Sequence, residues 1–314
     1  MTMISVVVPV YQCAGCIIEL NERIKNTLSK ITTNFEVILV DDRSPDNVWN
    51  VLVDLAKNDC SVKAVRLSRN FGQHAAIAAG LAESRGDWTV VMDCDLQDPP
   101  EEIIKLYETA QDGFDIVFGR RVEKKHSFLK RKSSELYFKF MRLASGYQFD
   151  SSLGSFSILS RKVVDSYLKF KEKEHHYLFI LYWLGFNTGY VNYVHDHRHR
   201  GKSSYSLKRL IKHAISGLLF QTTTLLKWII YLGFSISSVG ILSAFYLMYR
   251  YFFHSAYPGW TSLAVLILIV SGVIISSLGV IGLYIGGIFE QVKNRPLYVV
   301  DEICSANEKQ GVLL

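Results

Sequence analysis

Residues 228–249 and 261–289 of this 314-residue chain contain no Asp, Glu, Lys or Arg. Helices of soluble domains rarely go so long without charge, and about 20 helical residues suffice to cross a hydrocarbon core. The chain also lacks G-x-G-x-x-G, which argues against a Rossmann dinucleotide site, and G-x-x-x-x-G-K-S/T, which argues against a Walker-type phosphate loop. Residues 1–10 lack the basic region and length of a signal peptide and read as a strand. Cysteine is scarce, at five residues. Cys13 and Cys16 have the spacing of a thioredoxin-type redox pair, but nothing downstream supports that fold and no second pair exists to build a zinc site. Cys60, Cys94 and Cys304 read as ordinary small residues, and the usage as a whole fits a reducing compartment. There is no internal repeat. The net charge of +6 is modest and gathers beside the uncharged stretches, which points to anionic lipid and away from nucleic acid.

The two uncharged stretches, joined by a short connection around residues 254–259, read as a transmembrane hairpin. Lys202, Lys208, Arg209, Lys212 and Lys227 precede it, and Lys293 and Arg295 follow it. The connection has only Arg250 at its edge. An excess of Lys and Arg marks the cytoplasmic side, so both termini are expected there, on a multi-pass protein of the cytoplasmic (inner) membrane. The organisation expected is a cytosolic domain at 1–202, a juxtamembrane amphipathic helix at 203–227, two spans within 228–289 and a cytosolic tail at 290–314. Within the first domain, 124–144 is a second basic amphipathic segment. An apolar face ringed by basic residues suits the membrane interface or packing on a partner, and either segment offers a surface for a homo-oligomer.

In the soluble part, short apolar runs at 4–8, 36–40, 62–67, 88–92 and 116–118 alternate with helical patterns at 17–28, 48–56, 74–83 and 101–110. This alternation predicts an α/β domain with a mainly parallel sheet and helices on both faces. Ligands of such sheets sit at the carboxyl ends of strands. Three ends carry notable residues: Pro9-Val10-Tyr11, Asp41-Asp42-Arg43-Ser44-Pro45-Asp46, and Asp93-Cys94-Asp95. Residues i and i+2 of a strand share a face, so Asp93 and Asp95 are expected to converge, and their repulsion invites a hard divalent cation with positions left open for phosphate. An isolated D-x-D is more often a solvated turn; the other two strand ends tip the reading. Asp41 or Asp42 could accept a hydrogen bond from a nucleobase or ribose, while Asp93 and Asp95 hold Mg²⁺ or Mn²⁺ against a diphosphate.

These motifs, with Arg69-Asn70-Phe71-Gly72 and Asp93-Cys94-Asp95-Leu96-Gln97-Asp98-Pro99-Pro100-Glu101, resemble those of family 2 glycosyltransferases of the GT-A fold. The two apolar stretches and Lys293-Asn294-Arg295-Pro296-Leu297-Tyr298 resemble the polyprenyl-phosphate branch, which includes dolichyl-phosphate mannose synthase and bactoprenol glucosyltransferases. The resemblance implies a nucleotide-sugar donor, UDP-linked and with the sugar left open, a polyprenyl-phosphate acceptor and a lipid bilayer as partners. It implies that Pro9, Tyr11 and Asp41 or Asp42 frame the nucleotide, and that Asp93, Asp95 and Gln97 bind the metal. Arg121 is then expected near the phosphates, Arg131 and Ser134 at the lipid phosphate, and Arg198 with Lys202 on a loop closing over the diphosphate.

Three departures from the family pattern stand out. Gly154-Ser155-Phe156-Ser157 replaces a common Gly-Asp-Phe-Arg, so the carboxylate proposed as catalytic base is missing; Asp150 is a substitute by sequence proximity alone. Ser204 stands where a lysine is expected, and Gly282-Leu283-Tyr284-Ile285-Gly286-Gly287 lacks the usual Glu and Arg. The leading expectation is an inverting, metal-dependent hexosyl transfer to undecaprenyl or another polyprenyl phosphate, serving cell-surface glycan modification. A processive polysaccharide synthase is disfavoured, because Gln221-Thr222-Thr223-Thr224-Leu225 does not match Q-x-x-R-W and only two spans exist. A membrane-tethered nucleotide-sugar-binding scaffold without catalysis is the third reading.

Overall fold

The segment Ile4–Val10, ISVVVPV, forms strand β1 and is buried along its whole length. A strand with both faces covered needs such an unbroken apolar run. The computed structural model describes residues 2–122, 152–172, 176–194, 224–253 and 259–306. The chain divides into two compact units, the first formed by residues 1–131, 150–203 and 294–314, the second by 132–149 and 204–293.

In the first unit, β1 is followed by α1 (Ile17–Leu28), β2 (Phe35–Asp41), α2 (Val48–Asn58), β3 (Val62–Leu67), α3 (Gln73–Glu83) and β4 (Trp88–Val91). A short 3₁₀ turn, Pro100–Glu102, leads into α4 (Ile103–Gln111) and β5 (Ile116–Val122). Then come β6 (Leu153–Ser160), the short helices α5 (Arg161–Tyr167) and α6 (Tyr177–Leu184), β7 (Thr188–Val194) and finally β8 (Val300–Ser305). The eight strands lie in the order β7-β5-β6-β4-β1-β2-β3-β8. The central β4-β1-β2-β3 block is parallel, as is β5 with β7; β6 runs antiparallel to β4 and β5, and β8 antiparallel to β3.

The strand period of two distributes β1 between two cores. Val6, Val8 and Val10 join the core with Ile17, Leu20 and Ile24 of α1, Leu52 of α2 and Leu106 of α4. Val7 joins the opposite one with Ile77 and Leu81 of α3, Val163 of α5 and Ile180 of α6. Helices on both faces were predicted, and the first four strand and helix positions agree with the pattern to within a few residues. Strands β6, β7 and β8 had not been foreseen. The last of these falls within the expected tail, 290–314, where Leu297, Tyr298, Val300 and Ile303 pack against the core beneath α3.

The second unit contains two long helices, α7 (Thr224–Phe253) and α8 (Trp260–Val292). Among the described residues, Val270–Val292 is long and apolar enough to cross a membrane, and α8 as a whole encloses the expected 261–289. Residues 254–258, the segments 124–144 and 203–223, and thus most of both basic amphipathic segments, lie outside the described residues.

β8 covers the edge of β3, and Ser68 N–H donates to Val299 O at 2.9 Å at its start. An uncovered strand edge leaves backbone donors and acceptors unpaired. Truncation after Lys293 is therefore expected to lower the thermal midpoint of the detergent-solubilised protein by roughly 5 °C or more. An unchanged midpoint would show that β8 contributes nothing to the domain.

Candidate active site

Gln12, Arg43 and Leu96 have φ of 57°, 53° and 61°. Non-glycine residues rarely adopt this region, and where they do the surrounding structure must hold them there. The three follow β1, β2 and β4, which are neighbours in the sheet, so the irregular backbone collects along one carboxyl edge.

The loops after β1 and β2 are tied together. Gln12 N–H donates to Ser44 Oγ at 2.7 Å, and Ala14 N–H donates to Asp46 Oδ2 at 3.2 Å. Asp41 is fully buried; its Oδ1 accepts the Ser44 N–H at 2.8 Å and its Oδ2 lies 3.4 Å from Arg66 Nε. Asp42 accepts the N–H groups of Phe71 and Gly72, at 2.7 and 2.8 Å, and so anchors the loop that opens α3. Burial raises the pKa of both carboxyls, partly offset by these N–H donors and by Arg66 beside Asp41. Gly72, at φ 98°, supplies a backbone that a side chain would strain. Pro9 is buried in β1, and Tyr11 stands exposed beyond it.

Asp93 and Asp95 lie beyond the end of β4 at Val91, so strand alternation is not what relates them. Met92 N–H still pairs with Val7 O, after which the chain turns, with Leu96 in the left-handed region and Gln97 N–H donating to Asp95 Oδ1 at 3.3 Å. Asp93 Oδ1 accepts from Gln73 Nε2 and from Ser155 Oγ, each at 2.7 Å. Burial, then the charge of Asp98 and that of Asp95, push the Asp93 carboxyl up to about 6.

Asp98 is fully buried and was not anticipated as a site residue. Tyr193 Oη donates to its Oδ1 at 2.5 Å, Arg121 Nη2 lies 3.5 Å from the same oxygen, and Arg121 Nε donates to Tyr193 Oη at 3.1 Å. Burial opposes the Arg121 charge, but Asp98, Tyr193 and Asp93 outweigh it and raise the guanidinium pKa. Glycine makes room: a Cβ on Gly154 would stand 2.7 Å from Arg121 Nη2, and one on Gly119 would press on Phe156 and Tyr193. The expected Asp93, Asp95, Gln97 and Arg121 are thus joined by Asp98, Tyr193, Gln73 and Ser155. Arg131, Ser134, Asp150, Arg198 and Lys202 lie outside the described residues.

Cys13 is joined to Cys94 by a disulfide, whereas Cys16 is buried and outside the pair. Cys94, expected to be an ordinary small residue, is thus the partner of Cys13, because the adjacency of β1 and β4 brings their loops together. Among the described residues no group of three or more His, Cys, Asp or Glu side chains could enclose a metal ion. The donor set at the D-x-D turn is all oxygen and its charge is crowded, which fits a hard cation held by few protein atoms.

The raised Asp93 pKa has a sign that can be tested. In metal-free protein the folded state holds a proton that the unfolded chain releases near pH ~4. This contribution to stability is present below that pH and is lost as pH rises through about 6. Asp93→Asn should flatten the pH dependence of the thermal midpoint over that window and raise the midpoint at pH 7 in EDTA. A midpoint lowered at pH 7 would contradict the crowding of charge. Tyr193→Phe removes a donor from buried Asp98 and should cost about 1–3 kcal/mol in denaturant unfolding; a neutral effect would mean that Asp98 does not depend on it.

The family model described as glycosyl transferase family 2 matches residues 5–168. An uncharacterized glycosyltransferase of Bacillus subtilis, YkcC, is 34% identical over 308 residues, covering 98% of this chain and 95% of the relative. The undecaprenyl-phosphate 4-deoxy-4-formamido-L-arabinose transferase of Pseudomonas paraeruginosa is 33% identical over 309 residues, covering 97% and 91%. Among solved structures, glucosyl-3-phosphoglycerate synthase of Mycobacterium tuberculosis, crystallised with Mn²⁺ and UDP-glucose, superposes with a TM-score of 0.50 at 18% identity. It covers 69% of this chain and 77% of that one, and at that identity the likeness speaks for the GT-A fold alone. The strand order, the D-x-D turn and the matched length converge on one conclusion: the chain is a glycosyltransferase and belongs to glycosyl transferase family 2.

Proposed function

We propose that this glycosyltransferase moves a hexose from a nucleotide-sugar, UDP-linked, to undecaprenyl or another polyprenyl phosphate at the cytoplasmic face of the inner membrane. The observation that carries this reading is the oxygen-rich, charge-crowded turn Asp93–Asp95 at the carboxyl edge of the sheet, with Arg121 held beside it by Asp98 and Tyr193. The acceptor follows from relatives named as undecaprenyl-phosphate transferases, which this chain matches over nearly its full length. The exposed apolar side chains of α7 and α8, among them Phe234, Leu242, Ile275 and Ile288, support a membrane setting and the two-span hairpin.

In this reading Pro9, Tyr11 and the loops that Asp41 and Asp42 brace frame the nucleotide. Asp93, Asp95 and Gln97 would hold Mg²⁺ or Mn²⁺, which when bound neutralises charge on the departing diphosphate. Arg121 adds a fixed positive charge that needs no reorganisation as the bond to the sugar breaks. Ser155 orients Asp93 through its hydroxyl. No residue has to deprotonate the acceptor, because a phosphate monoester has a second pKa near ~6 and is already largely anionic at neutral pH. Its oxygen can attack the anomeric carbon on the face opposite the leaving nucleotide, with inversion. Arg131 and Ser134 would seat the lipid phosphate, and Arg198 and Lys202 would close over the diphosphate.

The test is a panel of labelled UDP- and GDP-sugars incubated with membranes and undecaprenyl phosphate, with and without EDTA. Label should enter a chloroform-soluble lipid, EDTA should stop it, and Asp95→Ala should abolish it; Arg131→Ala should mainly raise the lipid concentration required. Transfer by Asp95→Ala membranes at the wild-type rate would remove the metal assignment. Label in long polymer would instead favour a processive synthase, and tight donor binding without turnover a scaffold.

A further inference from the structure

The loops after β1 and β4 follow adjacent parallel strands, and the crevice outside such carboxyl ends is where ligands of open α/β sheets sit. One lip of this crevice carries Tyr11 and the other carries Asp93 and Asp95. Cys13 and Cys94 join the two lips, with their Cα atoms 6.3 Å apart and 81 residues between them in sequence. That separation lies within the range a disulfide tolerates. Cys94 is buried, at 7% exposure, while Cys13 is only partly covered and its Sγ lies 3.4 Å from Tyr11 O. Cys13 is thus the less covered partner of the two, and access is one of the factors that set the rate of thiol–disulfide exchange.

We propose that Cys13 and Cys94 are a reversible redox pair that closes the donor crevice when oxidised and releases it when reduced. The inference rests on the transferase reading above, since it concerns regulation of that site. The oxidant is a low-molecular-weight disulfide. The sulfur of Cys13 attacks it, forming a mixed disulfide and releasing one small thiol; the sulfur of Cys94 then attacks Cys13, forming the internal bond and releasing the second. Two protein thiols are oxidised by two electrons, the reagent disulfide is reduced to two thiols, and the two protons leave on those thiols. A pair of this kind in a reducing compartment is transient and regulatory, not structural. The bond ties the middle residue of D-x-D to the β1 loop, which limits how far the two loops can separate to admit a diphosphate. Reduction replaces the bond by a non-bonded contact and frees both lips.

The experiment uses the full-length protein in detergent, treated with oxidised glutathione or with dithiothreitol. Peptide mapping by mass spectrometry should find the Cys13–Cys94 cross-link only after oxidation. The reduced form should bind UDP with Mn²⁺ tighter by on the order of tenfold, within the usual range of coupling between two linked events. Cys13→Ser should erase the difference, and Cys94→Ala, a change at a shielded position, should do the same independently. Absence of the cross-link while UDP binds would overturn the pair and leave the transferase reading standing. A mapped cross-link with equal UDP affinity in both states would overturn the control it exerts. A mapped cross-link with no UDP binding in either state would overturn the donor reading and, with it, the regulatory role.

Discussion

Asp93, Asp95 and Asp98 crowd three carboxylates into a single turn, and the arrangement of the surrounding sheet follows from what it takes to hold them there. Two like charges about 4 Å apart repel by roughly 4 kcal/mol at the effective dielectric of a protein. Asp98 is held by Arg121 and Tyr193, which come from β5 and β7 on the far side of β6. Asp93 is held by Gln73 from α3 and Ser155 from β6. Four separate elements therefore converge on one turn. Gly119 and Gly154 are the positions where a side chain would prevent that convergence. Burial, then the charges of Asp98 and Asp95, push the Asp93 carboxyl up to about 6, and that crowding is the electrostatic reason a divalent cation suits the turn.

Ser155 becomes intelligible in this setting. A carboxylate at that position would add a fourth negative group within hydrogen-bonding distance of Asp93, tolerable only with a bound cation or a shared proton. The hydroxyl donates instead, and relieves the charge it would otherwise have increased. A site with this substitution is poorly equipped to remove a proton from a neutral hydroxyl acceptor. It is well suited to an acceptor that arrives as an anion and needs only to be positioned. The departure from the common family pattern is thus compatible with the acceptor proposed above, a lipid phosphate.

Much of the sheet was legible in the chain because its central strands are continuous apolar runs separated by amphipathic helices. α1 and β3 fall where the periodicity placed them. β6, β7 and β8 were not legible: TGYVNYV and VDEICS mix exposed and buried positions, as edge strands do, and their partners are distant in sequence. The site divides in the same way. Asp93, Asp95 and Arg121 sit in recognisable motifs, whereas Asp98 reads as part of a Pro-terminated turn and Tyr193 as one aromatic among many. Only the β5–β7 register, which places Arg121 opposite Tyr193, brings those two together. Strand alternation does not relate the acidic pair: β4 ends before Asp93, and a left-handed Leu96 shapes the turn instead.

The strand that follows α8 adds a dependence of a different kind. β8 places Asp301 2.6 Å from Arg43 and Glu302 3.5 Å from Arg66, which in turn faces buried Asp41. The Arg43–Asp301 pair is about two-fifths exposed on each side, so its direct contribution to stability is small. Arg66 is more enclosed, stacks 5.3 Å from the Trp49 ring, and offsets the charge of a carboxylate with no access to solvent. Losing its alignment would leave Asp41 buried without its cation, a costlier state than a broken surface pair. The loop after β2, proposed above to brace the nucleotide, is thereby held from behind by residues encoded after the apolar helices. Sheet edge and loop charge are satisfied by the same six-residue strand, so the segment beyond α8 is part of the site's architecture and not an appendage to it.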